Sequence, residues 1–375
     1  MKTGRKLLGA LAAGSILLLS ACGSGGDSGS SNSSGSGGGE PTKLTMAIAS
    51  AVIGPKEEVA VYAVAQKMGY FSEEGLTVDT INADGSVAAV QAVASGSGSI
   101  TASDTGSLLA AAQKNVPITT IGGLVQNWPW VIATKTDSPV KSGADLKGKK
   151  IGVISLASGS APYARAYVKA AGLDPQTDVE LVPVGVGAQA AAALNGGQVD
   201  ALALYTQAYT VIELAGTKLA YLDNPDVFQG IRSLSWAVAS KNFKDSPETY
   251  GKFLRAAYKA MLFSASNPEA AMRIGYQVFP QILGGADPST RLANDTETLK
   301  TWIKTATPAT GEPSSWKDWG AISDAEWAKT QDYTQQAGQI TGPVELDKIW
   351  DPSQLQTANQ FDSAAVIKQA ADYQP

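Results

Sequence analysis

The chain has 375 residues, 44% of them hydrophobic, enough for two or three domains with cores of their own. Its 29 basic and 34 acidic residues leave a net charge of −5, with no histidine and one cysteine. That balance, without basic clusters, gives no footing for nucleic acid. The missing histidines and second thiol exclude His-based acid–base chemistry, Ser-His or Cys-His nucleophiles, ordinary zinc sites and internal disulfides.

The N-terminus reads as an address. Lys2, Arg5 and Lys6 precede an apolar stretch, Leu7 to Leu19, that is too short to span a bilayer comfortably. Leu19-Ser20-Ala21-Cys22-Gly23 looks like a bacterial lipobox. Residues 1–21 are therefore expected to be a lipoprotein signal peptide and Cys22 the lipidated mature N-terminus. Residues 22–40, almost entirely Gly, Ser, Asn and Asp after the cysteine, cannot bury apolar surface. They are expected to form a flexible tether with a reach of roughly 20–25 Å. The folded part is then extracytoplasmic, held at the bacterial cell membrane by lipid alone.

From Leu44 the pattern alternates strand and helix. Leu44–Ala49 reads as a strand, and Pro55–Met68, acidic early and stopped by Gly69, as a helix. Thr77–Ile81 is a second strand, Val87–Ala94 a helix, Ser99–Ala102 a strand, Gly106–Lys114 a helix and Pro117–Leu124 a strand. After an aromatic extended run, Trp128–Thr134, the alternation restarts: strand Ile151–Ile154, helix Ala161–Ala171, strand Val179–Val182, helix Ala188–Leu194, strand Val199–Leu204, a helix to Leu214 and strand Leu219–Leu222. This is α/β with mainly parallel sheets, in two units. Beyond a further extended run, Ser235–Ala239, the pattern is helical: Pro247–Ser264, Pro268–Val278, Pro288–Thr305, Asp324–Gly338 and a last helix from Asp362. A helical tail without strands is best used to cover the first sheet. Residues 41–127 and 238–375 are thus expected as one discontinuous lobe and 128–237 as the second, with Trp128–Thr134 and Trp236–Ser240 as the two crossings. A faint repeat sets Ser103-Asp104-Thr105 against Leu204-Tyr205-Thr206, each a polar loop at a strand's carboxyl end, where open parallel sheets collect ligands.

Ser158-Gly159-Ser160, between a strand and the start of a helix, presents hydroxyls, backbone N–H groups and a positive dipole end, which suit a small anion. The alternative is that Ser158 or Ser160 only caps its own helix. Gly143-Ala144-Asp145-Leu146-Lys147-Gly148-Lys149 mimics a phosphate-binding loop but precedes its strand and lacks the Ser/Thr, so it is rejected.

Several segments together resemble one family. Ala65-Gln66-Lys67-Met68-Gly69-Tyr70-Phe71 with Gly75-Leu76-Thr77-Val78, then Asp145-Leu146-Lys147-Gly148-Lys149-Lys150-Ile151-Gly152-Val153, then Leu194-Asn195-Gly196-Gly197-Gln198-Val199-Asp200-Ala201 fall in the right order and spacing. They resemble the solute-binding lipoproteins of the nitrate/sulfonate/taurine and thiamine-pyrimidine (NMT1/THI5-like) importer family, over about Leu44 to Ser266. The resemblance implies a two-lobed periplasmic-binding-protein-like fold (type II) with two crossing segments. It also implies a monomer without enzymatic activity, metal or cofactor, and a small solute clamped between the lobes for an ABC permease and its ATPase. The loop after the first strand (Ser50, Ile53), the loop at Asp104 and Thr105, and the helix start at Ser158, Gly159 and Ser160 are then expected to line the cleft. Trp128, Tyr205 and Trp236 are expected beside it, where aromatic faces can stack on a heteroaromatic ring or cover an ammonium. Packing at the hinge is an equal alternative for Trp128 and the favoured one for Trp130. Asp104 either pairs with a ligand amine or caps the helix that follows.

The expected ligand is a small organic anion of the alkanesulfonate, taurine or nitrate type. A pyrimidine or other flat aromatic solute is the second choice. A membrane-anchored extracellular interaction module without a transport ligand is the alternative from another class.

Overall fold

The computed structural model describes residues 40–374. The expected signal peptide, the lipidation at Cys22 and nearly all of the tether lie outside these residues. Among the described residues no helix is long and apolar enough to cross a membrane.

Among the described residues, ten strands form two five-stranded sheets. β1 (Thr42–Ile48), β2 (Leu76–Asn82), β3 (Ile100–Asp104) and β4 (Ile118–Val125) belong to the first. β5 (Trp130–Lys135), β6 (Lys149–Val153), β7 (Val179–Pro183), β8 (Ala201–Tyr205) and β9 (Leu219–Leu222) form the second, and β10 (Leu234–Ala239) returns to the first. The orders are β2-β1-β3-β10-β4 and β7-β6-β8-β5-β9, the same topology twice. β1 pairs in parallel with β2 and β3, as β6 does with β7 and β8. The repeat read from the sequence is therefore structural, with β3 and β8 in equivalent places.

Neither sheet is all-parallel. β10 runs antiparallel between β3 and β4, and β5 antiparallel between β8 and β9. The two extended runs expected as crossings are thus mostly strands, and the chain passes between sheets at 126–129 and 223–233. The first passage is strapped down: Asn127 Nδ2 donates to the carbonyls of Lys304 at 2.8 Å and Thr307 at 2.9 Å.

Helix starts follow the local chemistry. Pro247, Pro268 and Pro288 each open a helix where a missing N–H costs nothing. Asn267 and Asp287 cap two of them by accepting from the N–H of Ala270 and Ser289. The helix expected from Pro55 is instead π-helical over Glu58–Ala63 and α-helical only over Val64–Lys67, an irregularity often found at functional sites.

The first lobe's core gathers around helix Pro247–Ser266, with Phe253, Leu254, Met261 and Phe263 fully buried. The helical tail is not confined to that lobe. Tyr333 and Ala337, from the end of helix Asp324–Gln336, sit in the second lobe's core beside Tyr163 and Phe228, while the same helix also packs on helix Thr105–Gln113 of the first. It straddles both halves, with Trp327 buried beside Leu108 and Leu109 at one end and Tyr333 in the second lobe's core at the other.

Candidate functional site

A cavity of about 340 Å³ lies between the two sheets, at the carboxyl ends of β1, β3, β6 and β8. That falls in the ~300–1,000 Å³ range of small-molecule pockets. The lobes touch around it. A Cβ on Gly85 would stand 3.5 Å from the carbonyl of Ala157, and Thr210 Oγ1 donates to Thr301 Oγ1 at 3.1 Å from the opposite half.

One wall is aromatic. Trp130 and Tyr205 are direct cross-strand partners on β5 and β8, with rings nearly perpendicular, 70°, at 5.6 Å between centroids. Gly159 is the residue that lets the second lobe's helix start reach this wall: a Cβ there would come within 3.1 Å of Trp130 Cζ2. Trp302, from helix Pro288–Ala306, lines the cavity from the first lobe. Burial pushes the Tyr205 phenol up to about 12, so it stays neutral at physiological pH.

The charged lining is mostly acidic: Glu57, Asp84 and Asp104 against Lys56. Asp104 is buried at the end of β3, where its Oδ2 accepts from the Ser107 N–H at 2.9 Å and hydroxyl at 3.1 Å. It caps helix Thr105–Gln113, and its Oδ1 faces Gly159 across the cleft. Burial raises its pKa despite the bonds from Ser107. Lys56 is the one cation among the described lining residues, and it is engaged by Glu57, at 3.1 Å, and by the fully buried Glu58. Burial opposes the charge on Lys56, but Glu57 and Glu58 outweigh it and its pKa is raised. Burial likewise pushes Glu58 up to about 8, against the pull of Lys56.

Glu58 and Asp104 hold protons in the fold that the unfolded chain has already released, so both make stability fall as pH rises. For Glu58 the decline spans 4.5 to about 8. The melting temperature of the unliganded protein is expected to drop across this window, and Glu58→Gln to flatten the drop. A slope unchanged in the variant would remove Glu58 as its source.

Of the residues singled out from sequence, Ser50, Asp104, Ser158, Gly159 and Tyr205 line the cavity. The Ser50 and Ser158 hydroxyls are spent on their own loops, however. Ser50 donates to Val52 O at 2.7 Å, and Ser158 donates to Ser155 O at 2.9 Å. Ser160 is fully buried and off the lining; its Oγ accepts from the Ile154 N–H at 2.9 Å, tying the loop to the end of β6, and neither serine caps the helix.

Four further residues stand elsewhere than expected. Ile53 packs into the first lobe's core. Thr105 is fully buried, its hydroxyl bonded to Ser233 O at 3.2 Å and Ser235 Oγ at 2.9 Å. Trp236 lies in the sheet interior, opposite Ala102 and Gly122 and against Phe253 at 5.3 Å, because β10 is inserted between two strands. Trp128 packs among Phe228, Tyr163 and Tyr333 and lines a separate hollow behind Trp130. Trp130, expected at the hinge, faces the cavity instead.

Sequence reasoning missed Lys56, Glu57, Gln207 and Trp302. The first two sit just beyond the loop already suspected, and Gln207 follows Tyr205 by two, so adjacency was an available signal. Nothing local pointed to Trp302.

The chain is similar to known proteins of this architecture. The riboflavin-binding protein RibY of Chloroflexus aurantiacus is 26% identical over 83% of this chain and 86% of its own length. A formylaminopyrimidine-binding protein of Halalkalibacterium halodurans is 27% identical over 56% of this chain and 64% of its own. Among solved structures, the periplasmic aliphatic sulphonate binding protein SsuA of Escherichia coli shares 17% identity, covers 84% of this chain and 94% of itself, and superposes with a TM-score of 0.63, a likeness of fold. A family model described as NMT1/THI5 like matches residues 56–271, more than half of the sequence, and the chain belongs to that family.

Proposed function

We propose that this protein is the extracytoplasmic solute-binding component of an ABC importer, non-enzymatic, and that it carries a flat heteroaromatic solute of the pyrimidine or flavin type. The observation that carries the choice of solute is the cavity's lining: Trp130 and Tyr205 on one side, Trp302 on another, and no cation free of carboxylates among the described lining residues. A planar ring gains about 0.5–1.5 kcal/mol per aromatic contact beyond its buried area. The two curated relatives, named for riboflavin and formylaminopyrimidine, support the same class. Delivery to a permease and its ATPase, with the membrane reached through lipid on Cys22, completes the proposal.

The sulfonate reading keeps one support, the helix beginning at Ser160, whose N-terminal Gly159 lines the cavity. Against it stand the buried Asp104 directly opposite and the double engagement of Lys56. Calorimetric titration of the purified protein with riboflavin, 4-amino-2-methylpyrimidine, taurine and an alkanesulfonate separates the readings. Heat from the aromatic set alone is the expected result. Heat from the sulfonates alone, lost in Ser158→Ala, would reverse the choice, and no binding of any solute would favour an anchored interaction module.

A further inference from the structure

We propose that Glu57 and Gln207 are the specificity-determining residues of the cleft, two hydrogen-bond acceptors that reach in from opposite lobes for the N–H edge of the solute. The inference rests on the heteroaromatic reading above and names the chemical feature that solute must carry.

Both residues line the cavity, and each is 6% exposed. Glu57 spends Oε1 on Lys56 at 3.1 Å and leaves Oε2 buried without a donor. Gln207, in the first turn of helix Thr206–Leu214, leaves Oε1 buried without one as well. Buried acceptors in folded proteins are almost always satisfied, and an oxygen left dry and unpaired is a cost that persists where a ligand removes it. Glu57 opens the π-helical turn of the first lobe, whereas Gln207 follows β8 in the second. Lys56 beside Glu57 and Tyr205 two residues before Gln207 line the same cavity, so the pair borders one space.

The complementary group is an edge with N–H donors, such as an aminopyrimidine or the imide of a flavin ring. The sulfonate group of an alkanesulfonate offers acceptors alone and meets like with like. Because the acceptors belong to different lobes, one solute edge engages both only when the lobes are together, which couples recognition to closure. The amide of Gln207 can turn and present its NH₂ instead. Glu57 cannot, so it sets the stricter requirement.

The test compares riboflavin with N3-methylriboflavin, and 4-amino-2-methylpyrimidine with its dimethylamino form, by calorimetry on the wild type, Glu57→Met and Gln207→Leu, each variant lacking the acceptor. Melting curves of each variant check that it is folded. The wild type is expected to prefer an N–H form over its methylated counterpart by roughly ten- to a hundredfold. Each variant is expected to lose most of that preference by weakening the N–H form, with little change for the methylated one. Equal weakening of both forms, or none, overturns the assignment. Should Glu57→Met not fold, the wild-type preference and Gln207→Leu still decide. If the wild type binds these solutes without distinguishing methylation, this inference alone fails. If it binds none of them, the heteroaromatic reading falls and takes this one with it.

Discussion

Trp130→Ala is expected to weaken binding of riboflavin or 4-amino-2-methylpyrimidine by roughly ten- to a hundredfold, the worth of about 1–3 kcal/mol for one aromatic stacking partner. Trp130 is 9% exposed, meets Tyr205 edge to face at 5.6 Å, and closes against the backbone of Gly159. Removing it takes away a stacking face and widens the cavity toward the hollow behind it, which Trp130 also lines. Titration calorimetry on the variant measures the loss, and Trp130→Phe should restore most of it. An affinity within twofold of the wild type would remove the aromatic wall from ligand recognition, and with it the main support for a flat solute.

Trp236→Ala, by contrast, is expected to cost about 3–5 kcal/mol of stability while leaving affinity per folded molecule nearly intact. Its indole is fully buried in the first sheet, where Trp236 pairs with Ala102 and Gly122 on the flanking strands and Phe253 meets the ring at 5.3 Å. Gly122 serves a different contact: a Cβ there would come within 2.6 Å of the Tyr258 hydroxyl. Denaturant unfolding gives the stability change, and calorimetry below the transition gives the affinity. A selective loss of affinity with unchanged stability would return Trp236 to the cleft. The pair of tryptophans thus separates a residue that recognises from one that holds the sheet.

The contrast between them also marks how far the residues could be read. Alternation of apolar runs and capped helices made the two α/β units legible, down to strand Leu219–Leu222 and helix Pro268–Val278 at both ends. The likeness of the segments ending at Asp104 and Tyr205 foretold equivalent strands, and both residues line the cleft. These features depend on neighbours within a few positions, so the local sequence carries them. Which tryptophan faces the cavity does not. A strand points successive side chains to opposite faces, and the face that becomes cleft or core depends on what is packed on either side. β5 and β10 read alike as extended aromatic runs, but β5 turns Trp130 toward the space between the lobes, and β10 is enclosed with Trp236 inside.

The ligand preference turned on the same kind of fact. Ser158 and Ser160 read as free hydroxyls at a helix start, and only the folded loop shows them tied to Ser155 and to the end of β6. Lys56, which the sequence did not single out, borders the cavity, but two carboxylates converge on it where the chain enters its π-helical turn. From its sequence alone, then, this protein's two-unit α/β plan and most of its helices follow, because they rest on short-range periodicity and capping, and its family follows from three short motifs in order. The tertiary structure alone decided the aromatic wall, the unpaired acceptors and the helix bridging both lobes. Those arise where residues such as Trp130, Gln207 and Trp302, remote in the chain, are packed against one space, and no local pattern encodes which atoms that packing leaves without a partner.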